Sequence, residues 1–550
     1  MHRDGNSDQS RKLIYNVHEK PPACVSFTLG FQKILNSLCS TVVTAHLLST
    51  SYCVLDEDPV RSHILSSIIF FSAIASFIQS SLGTRLPLSL NINFIYVVST
   101  VLFLEYDKCP SPGEVYAMGP INRSNLWRQR ISSVQGAVIL AAVLTTFIGC
   151  TGALGRILRF VSPLTIFPMV VLTIFSIFNS AMQMIFLNWS ISGVTFLLIM
   201  IFSQYLRFSP LPLPSLTFQR GCYIHKAEIF QILAVPLAVT LAWGLCWTLT
   251  LTDTLPMKDM ARTDTHTAII THTPVFNLFS PFDYGLPTVS ATSFLLMLPA
   301  MLMTIVESVD HQNSCCCVSQ CIPSSKRTHR GVLIEGICSC VASFFGITAG
   351  LSPSQQDVAD IETTKVSSRC VVQGASIILI FLSLYGPLGA FLTLVPVPII
   401  GALMLNNCIN SSSQALSYLW YVDRKSKRNT FIIASSIFLG YIIPNLVADS
   451  PNLAEPTGIS DVDGAIKTLL KSYVFVGGLI AFLLDITLPA SRGETGLGMW
   501  RRSVNEDFVL SEVRTCAVCQ THMTQNGNPV NGGNSRTLNA IETSFLSWLA

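Results

Sequence analysis

The sequence predicts an all-α polytopic membrane protein, and three observations carry that prediction. Of its 550 residues, 50% are hydrophobic and only 12% charged, against roughly a quarter charged in an ordinary soluble domain. Mean hydropathy is +0.51. Apolar runs of about 20 residues, the length that crosses a hydrocarbon core, recur along most of the chain. The 34 basic and 31 acidic residues are too few to cover a soluble globule of this size. A net charge of +3 gives no footing for a nucleic-acid partner.

Taken in order, residues 1–22 are polar and form a cytoplasmic tail without a cleavable signal. Apolar spans follow at about 24–45, 62–82, 87–105, 132–153, 160–183, 189–206 and 228–251, which make a first repeat over 23–252. A polar outer loop covers 253–288. A second repeat over 289–488 holds spans at about 289–309, 332–349, 352–365, 371–391, 394–415, 429–448 and 468–488. The segment at 352–365 is too polar and short to span alone, and Pro87, Asn91 and Asn93 interrupt the third span as Pro353 interrupts the tenth. Broken segments at matching places in two halves are the sequence pointer to an inverted-repeat transporter with its site between them.

Basic residues set the orientation, because cytoplasmic loops are rich in Lys and Arg. With the N-terminus inside, the inner loops hold Arg85, Arg156, Arg159, Arg207, Lys326, Arg327, Arg330, Lys365, Arg369, Lys425 and Lys427. Lys108, Arg123, Arg128 and Arg130 run against the bias in the first long outer loop. Both glycosylation sequons, at Asn122 and Asn188, then face outside. Most of the seventeen cysteines lie in apolar runs, so no disulfide framework is implied. Residues 489–550 read as a disordered cytoplasmic tail. Cys516, Cys519 and His522 there make half a zinc pattern without a second half, and no metal is expected.

Ionisable groups inside spans are costly and default to functional hypotheses. They are Lys33 in the first span, Glu307 and Asp310 in the eighth and Glu335 in the ninth, then Asp357, Asp360 and Glu362 in the tenth and Asp485 in the last. Glu307 and Asp310 share one helix side at a spacing of three. Lys33 lies about 13 Å into its span at about 1.5 Å per residue, too deep to snorkel, so it needs a partner. Glu335 and Asp485 read as ties between spans.

A set of short stretches then adds up to a family. They are Arg85-Leu-Pro-Leu88, Phe202-Ser-Gln-Tyr205, Ala261-Arg-Thr-Asp264, Gly285-Leu-Pro-Thr-Val-Ser290, Val306-Glu-Ser308 and Thr364-Lys-Val-Ser-Ser-Arg369. From about Leu13 to Asp485 the chain resembles the nucleobase/ascorbate transporters, the xanthine/uracil permease-like family, and most closely their animal branch, the sodium-dependent vitamin C transporters. The resemblance implies fourteen segments in two inverted repeats of seven. It implies a core domain (23–153 and 289–391) that moves elevator-fashion against a gate domain (154–252 and 394–488), with homodimers through the gate. Segments three and ten each carry a short extended stretch before a half-helix. By position, Glu307 matches the family's substrate carboxylate, Gln356 opens the signature of segment ten, Phe94 matches a substrate-lining aromatic, and Thr364 with Lys365 closes the signature.

Four regions depart from that pattern. The signature's Asn is Asp357 and its Gly is Ala359, a Gln-His pair is Gln32-Lys33, small residues of segment three are Leu90 to Asn93, and Asp310-His311 follows where Gly-Asp-Tyr-Tyr is usual. The substrate set is therefore Asn93, Phe94, Glu307, Gln356, Asp357 and Ala359, and the cation or coupling set is Lys33, Ser308, Asp310 and Thr364, with Na+ as a coupling ion or with Lys33 as a built-in positive charge opposite Asp357 or Asp310. The expected activity is secondary-active transport of ascorbate in the plasma membrane, both termini inside. A nucleobase transporter is the first alternative and a transport-deficient partner or regulatory protein the second. Nothing in the motifs supports an enzyme or a nucleic-acid partner.

Overall fold

The computed structural model describes residues 13–489, apart from 106–108, 111, 157–160, 210, 218–220, 228, 258, 266, 322–323, 424 and 451–459. The metal pattern at Cys516, Cys519 and His522 therefore lies outside the described residues. The fold is mostly helical. Among the described residues six helices are long and apolar enough to cross a membrane, seven if one sharply bent pair counts as a single span.

The chain begins with α1 (Ala23–Ser51), α2 (Val60–Ser81), strand β1 (Leu90–Ile92), α3 (Phe94–Glu105), α4 (Pro112–Ala117) and α5 (Pro120–Thr151). It continues through α6 (Pro163–Leu187) and α7 (Trp189–Met200), which ends in a π-turn at Ile201–Tyr205. The hairpin β2 (Leu211–Thr217) and β3 (Gly221–Ala227) precedes α8 (Ile229–Ile232), α9 (Ala234–Leu251) and the outer-loop helix α10 (Ala268–His272). The second half runs α11 (Ala291–Val318), α12 (Ser325–Phe344), β4 (Leu351–Pro353), α13 (Gln355–Thr364) and α14 (Arg369–Leu384). It ends with α15 (Gly386–Thr393), α16 (Val397–Tyr418), α17 (Lys427–Asp449), α18 (Ser460–Lys471) and α19 (Tyr473–Thr487).

Local chemistry sets the boundaries. Ser290, Ser368 and Ser472 cap α11, α14 and α19 by accepting from the amides of Ser293, Cys370 and Phe475. The apolar run at 371–391 reads as one span but breaks at Tyr385. There Gly386 donates its N–H to Val275 O over 2.9 Å, and a Cβ at Gly386 would sit 2.0 Å from Pro274 O. After α15 the chain turns by 86° into α16, across Pro396 and Pro398, which lack the N–H that would continue a helix.

Helix packing gathers α1, α2, α3, α5, α11, α12 and α14 around one interior and α6, α7, α9, α16, α17 and α19 around another. At the centre of the first group β1 and β4 pair antiparallel, with Leu90 opposite Pro353, Asn91 opposite Ser352 and Ile92 opposite Leu351. Sequences 261 residues apart, counting Leu351 from Leu90, thus meet in a two-stranded crossing from which the half-helices α3 and α13 depart. Two hydrogen bonds extend the crossing, Asn93 N to Gly350 O at 2.9 Å and Ser354 N to Ser89 O at 3.0 Å. Gly350 is required there, because a Cβ would lie 2.5 Å from Tyr96 Cε2.

One disulfide joins Cys53, just after α1, to Cys109, just after α3. Composition implies no disulfide framework, and this bridge, the one among the described residues, corrects that reading locally: these two cysteines lie outside the apolar runs, at the same end of the bundle.

Candidate functional site

The crossing of β1 with β4 positions the site because it brings four segments to one place. Asn93 is the pivot. Its Nδ2 donates to Glu307 Oε2 at 2.9 Å and to Ser352 Oγ at 3.0 Å, while its Oδ1 accepts from the N–H of Ile95 at 2.8 Å and so caps α3. Glu307 is 8% exposed and Asn93 4%. Phe94 follows at the start of α3 and is half-buried against the core.

A second cluster lies on α13. Lys33 forms an ion pair and hydrogen bond with Asp357, and its Nζ is 3.7 Å from Asp360 Oδ2. The other oxygen of Asp357 accepts from Ser89 N at 2.6 Å and Ser89 Oγ at 2.5 Å. Gln32 Nε2 donates to Asp360 Oδ1 at 3.0 Å. The partner that depth demanded for Lys33 is therefore Asp357, in the first turn of α13, where the helix N-terminus also favours a carboxylate. Beside this cluster lies a cavity of about 20 Å³, lined by Lys33, Ser37, Ser72, Ser76, Ser89 and Asn91 among others, which is room for a water molecule.

The remaining expected residues fall elsewhere. Gln356 and Ala359 are exposed on a face of α13 different from that of Asp357 and Asp360. Thr364 spends its hydroxyl on Asp360 O at 2.7 Å. Ser308 is fully buried, and its hydroxyl lines a water-sized cavity of about 10 Å³ with Glu335 and Ser339. Glu335 does tie spans, since one of its oxygens accepts from both Gln79 at 3.0 Å and Gln312 at 2.9 Å. Asp485 pairs with Arg428 at 2.9 Å. Asn122 is exposed. Asn188 caps α7 by accepting from Ile191 N and donates its Nδ2 to Asp259 at 3.0 Å, so the nitrogen a glycan would take is engaged.

Asp310, of the expected coupling set, accepts from Tyr418 OH at 3.4 Å. Residues beyond that sequence set complete the picture. His311 contacts Pro353 O through Nδ1 at 2.8 Å and Gln414 through Nε2 at 2.9 Å. A carbonyl only accepts, so Nδ1 donates and Nε2 accepts from the Gln414 amide. The bonds to Gln414 and Tyr418 join α11 to α16 across the two helix groups, as Gln231 Nε2 joins α8 to α13 through Thr363 at 2.9 Å. Ser89, Ser352, Gln414 and Tyr418 carry no sequence signal of their own, whereas His311 stood next to a flagged carboxylate.

A sodium ion prefers a shell of oxygen ligands, as hard cations do. All four oxygens of Asp357 and Asp360 already face Lys33, Ser89 or Gln32. The residues present here do not fit a resident sodium ion at that carboxylate pair.

Comparison with known proteins gives the context of this geometry. The model of the Permease family, Xan_ur_permease, matches residues 25–448. Solute carrier family 23 member 1 of Mus musculus is 34% identical over 509 residues, covering 91% of this chain and 84% of the relative. Solute carrier family 23 member 2 of Rattus norvegicus is 32% identical over 513 residues, covering 91% and 79%. Nucleobase-ascorbate transporter 8 of Arabidopsis thaliana is 28% identical over 513 residues, covering 90% of each chain.

Proposed function

The chain belongs to the Permease family of nucleobase/ascorbate transporters, multi-pass membrane proteins that are not enzymes, and from that premise we propose that it carries ascorbate across the plasma membrane. The observation that supports this reading is the Asn93–Glu307 pair at the crossing of the two half-strands. A carboxylate held there by an amide presents acceptor atoms beside two helix N-termini that offer donors. Ascorbate and uracil are both flat rings with alternating donors and acceptors, so one plan serves either, and a nucleobase is the alternative solute.

Movement follows the elevator scheme, with the core (23–153 and 289–391) sliding against a dimeric gate (154–252 and 394–488), both termini inside and Asn122 glycosylated. Fourteen segments in two inverted repeats belong to the same proposal. In that scheme the bonds from His311 to Gln414 and from Tyr418 to Asp310 break and re-form in each cycle. Glu307 and Asn93 orient the solute, Phe94 supplies an apolar face, and Gln356 reads the solute's edge from the exposed face of α13.

A second reading, a protein that keeps the fold as a partner or regulator without transporting, is favoured by one observation: Lys33 and Asp357 satisfy each other in the site. Uptake of radiolabelled ascorbate and uracil into cells expressing the chain, with Glu307→Ala as control, tests both. Uptake that Glu307→Ala abolishes supports transport. Uptake no higher than in untransfected cells for either solute supports the second reading.

A further inference from the structure

Asp357 and Asp360 place two carboxylates one helical turn apart on α13, inside the bundle. Two buried negative charges at that distance repel, and in a low-dielectric interior they require a positive charge between them. Lys33 supplies it. Its side chain is 13% exposed, those of Asp357 and Asp360 are 5% and 16% exposed, and the ammonium lies between the two carboxylates. Ser89 and Gln32 occupy the oxygens that Lys33 leaves.

The same place has the features of a seat for a mobile cation. The cavity beside Lys33 is water-sized, about 20 Å³, and five serines and Asn91 line its wall. Serine hydroxyl, amide and carboxylate oxygens are the ligand types that hard cations take. With an uncharged side chain at position 33, these oxygens and the carboxylate pair would face an empty, negatively charged space.

We propose that Lys33 is a tethered counter-ion, its ammonium standing where a free monovalent cation would otherwise have to bind, so that the site is complete without sodium. This deepens the transport reading and rests on it only for the consequence that uptake is independent of sodium. The carboxylates of α13 keep one fixed charge balance through the cycle, because the cation is covalently attached to α1 and travels with it.

The test uses the full-length protein purified in detergent, with thermal unfolding followed as choline chloride is replaced by equimolar sodium, lithium or potassium chloride. The wild-type Tm stays flat across the exchange. Lys33→Gln unfolds at a lower temperature and regains half or more of that loss as the small cations are added, whereas Lys33→Arg stays flat. A merely structural lysine would give a lowered Tm that no cation restores. The proposal is overturned by a wild-type Tm that climbs with sodium, or by a Lys33→Gln protein indifferent to all three cations. If Lys33→Gln does not accumulate, the wild-type titration and the Lys33→Arg protein decide alone, since a sodium response in either overturns it. Because unfolding needs no substrate, these outcomes stand whether or not ascorbate or uracil proves to be carried. In cells that do show uptake, equal rates in sodium and choline are expected, and a steep sodium dependence overturns the proposal independently.

Discussion

Asn93 and Glu307 meet where the two halves of the chain cross, the Asn93 amide nitrogen donating to Glu307 Oε2 over 2.9 Å and to Ser352 Oγ over 3.0 Å. One side chain thereby joins the start of α3, the middle of α11 and β4. Removing the amide strands a buried carboxylate, a loss of about 1–3 kcal/mol for an unsatisfied group, or more because it is charged. Asn93→Ala is therefore expected to lower Tm and to cut uptake at least tenfold. The exchange Asn93→Asp with Glu307→Gln restores the hydrogen bond with its direction reversed. It is expected to recover Tm without recovering uptake, as measured by thermal unfolding and radiolabelled uptake in parallel. Full recovery of uptake in the exchange variant would show that the position of the carboxylate is immaterial.

How much of this was legible in the sequence depends on the range of the interaction. The burial depth of Lys33 is a local property, and its need for a partner could be read from spacing alone. The partner itself lies 324 residues away, a range that no periodicity reports; the joint departures from the family pattern narrowed it to Asp357 or Asp310, and only the fold chooses Asp357. Resemblance to a family marked Glu307 and Phe94, and Pro87, Asn91, Asn93 and Pro353 marked the broken third and tenth segments, but three-residue strands are too short to give a period of their own. The break at Tyr385 was invisible within an apolar run, because what enforces it is the approach of Pro274 to Gly386. At Asn188 a sequon and a helix cap coincide, since both use the same residue types, and the contacts to Ile191 and Asp259 show the capping role that the sequence did not separate from the sequon.

Arg262 organises the outer loop. Its guanidinium donates to Asp264 at 2.7 Å and 2.9 Å, to Asp253 at 3.1 Å and 3.2 Å and to Leu255 O at 3.0 Å. The hydrogen bonds from Arg262 hold the Asp264 carboxyl below the usual carboxylate range. A lowered folded-state pKa contributes stability that is present above the unfolded value, about 3.9, and is lost as pH falls through the folded one. Loop protection in hydrogen exchange around 262–264 is expected to be constant from neutral pH down to about pH 4 and to weaken below it. Arg262→Lys, which lacks the planar fork, is expected to lose that protection already at neutral pH. Protection unchanged in Arg262→Lys would show that the charge alone suffices.

The Cys53–Cys109 bridge closes a loop of 56 residues in sequence separation, for which chain entropy gives roughly 4 kcal/mol of stabilisation. Disulfides persist in oxidising compartments, and the proposed orientation with an inner N-terminus puts the bridge on the face away from the cytoplasm. A membrane-impermeant reductant applied to intact cells is expected to expose two additional thiols to a maleimide mass tag. Cys53→Ser is expected to lower Tm by several degrees. Thiols that appear only after permeabilisation would reverse the orientation.

Arg428 and Asp485 fasten α17 to α19 with both side chains largely enclosed, at 10% and 9% exposure. The guanidinium also donates to the carbonyls of Asp485 at 2.6 Å and Leu488 at 3.2 Å. Those two carbonyl bonds survive Asp485→Asn, so the amide variant keeps the packing and loses only the charge. Asp485→Ala leaves a buried cation without its counter-charge, a change that costs roughly 3 kcal/mol where the pair is well enclosed. Arg428→Met removes the cation but leaves Asp485 in the reverse predicament. The double variant Arg428→Met with Asp485→Ala removes both charges and is expected to be more stable than either single one, because neither group remains uncompensated. Thermal unfolding of the four proteins forms a closed cycle that isolates the coupling. A double variant whose loss equals the sum of the two single losses would mean that the pair is held by its neighbours and not by mutual attraction.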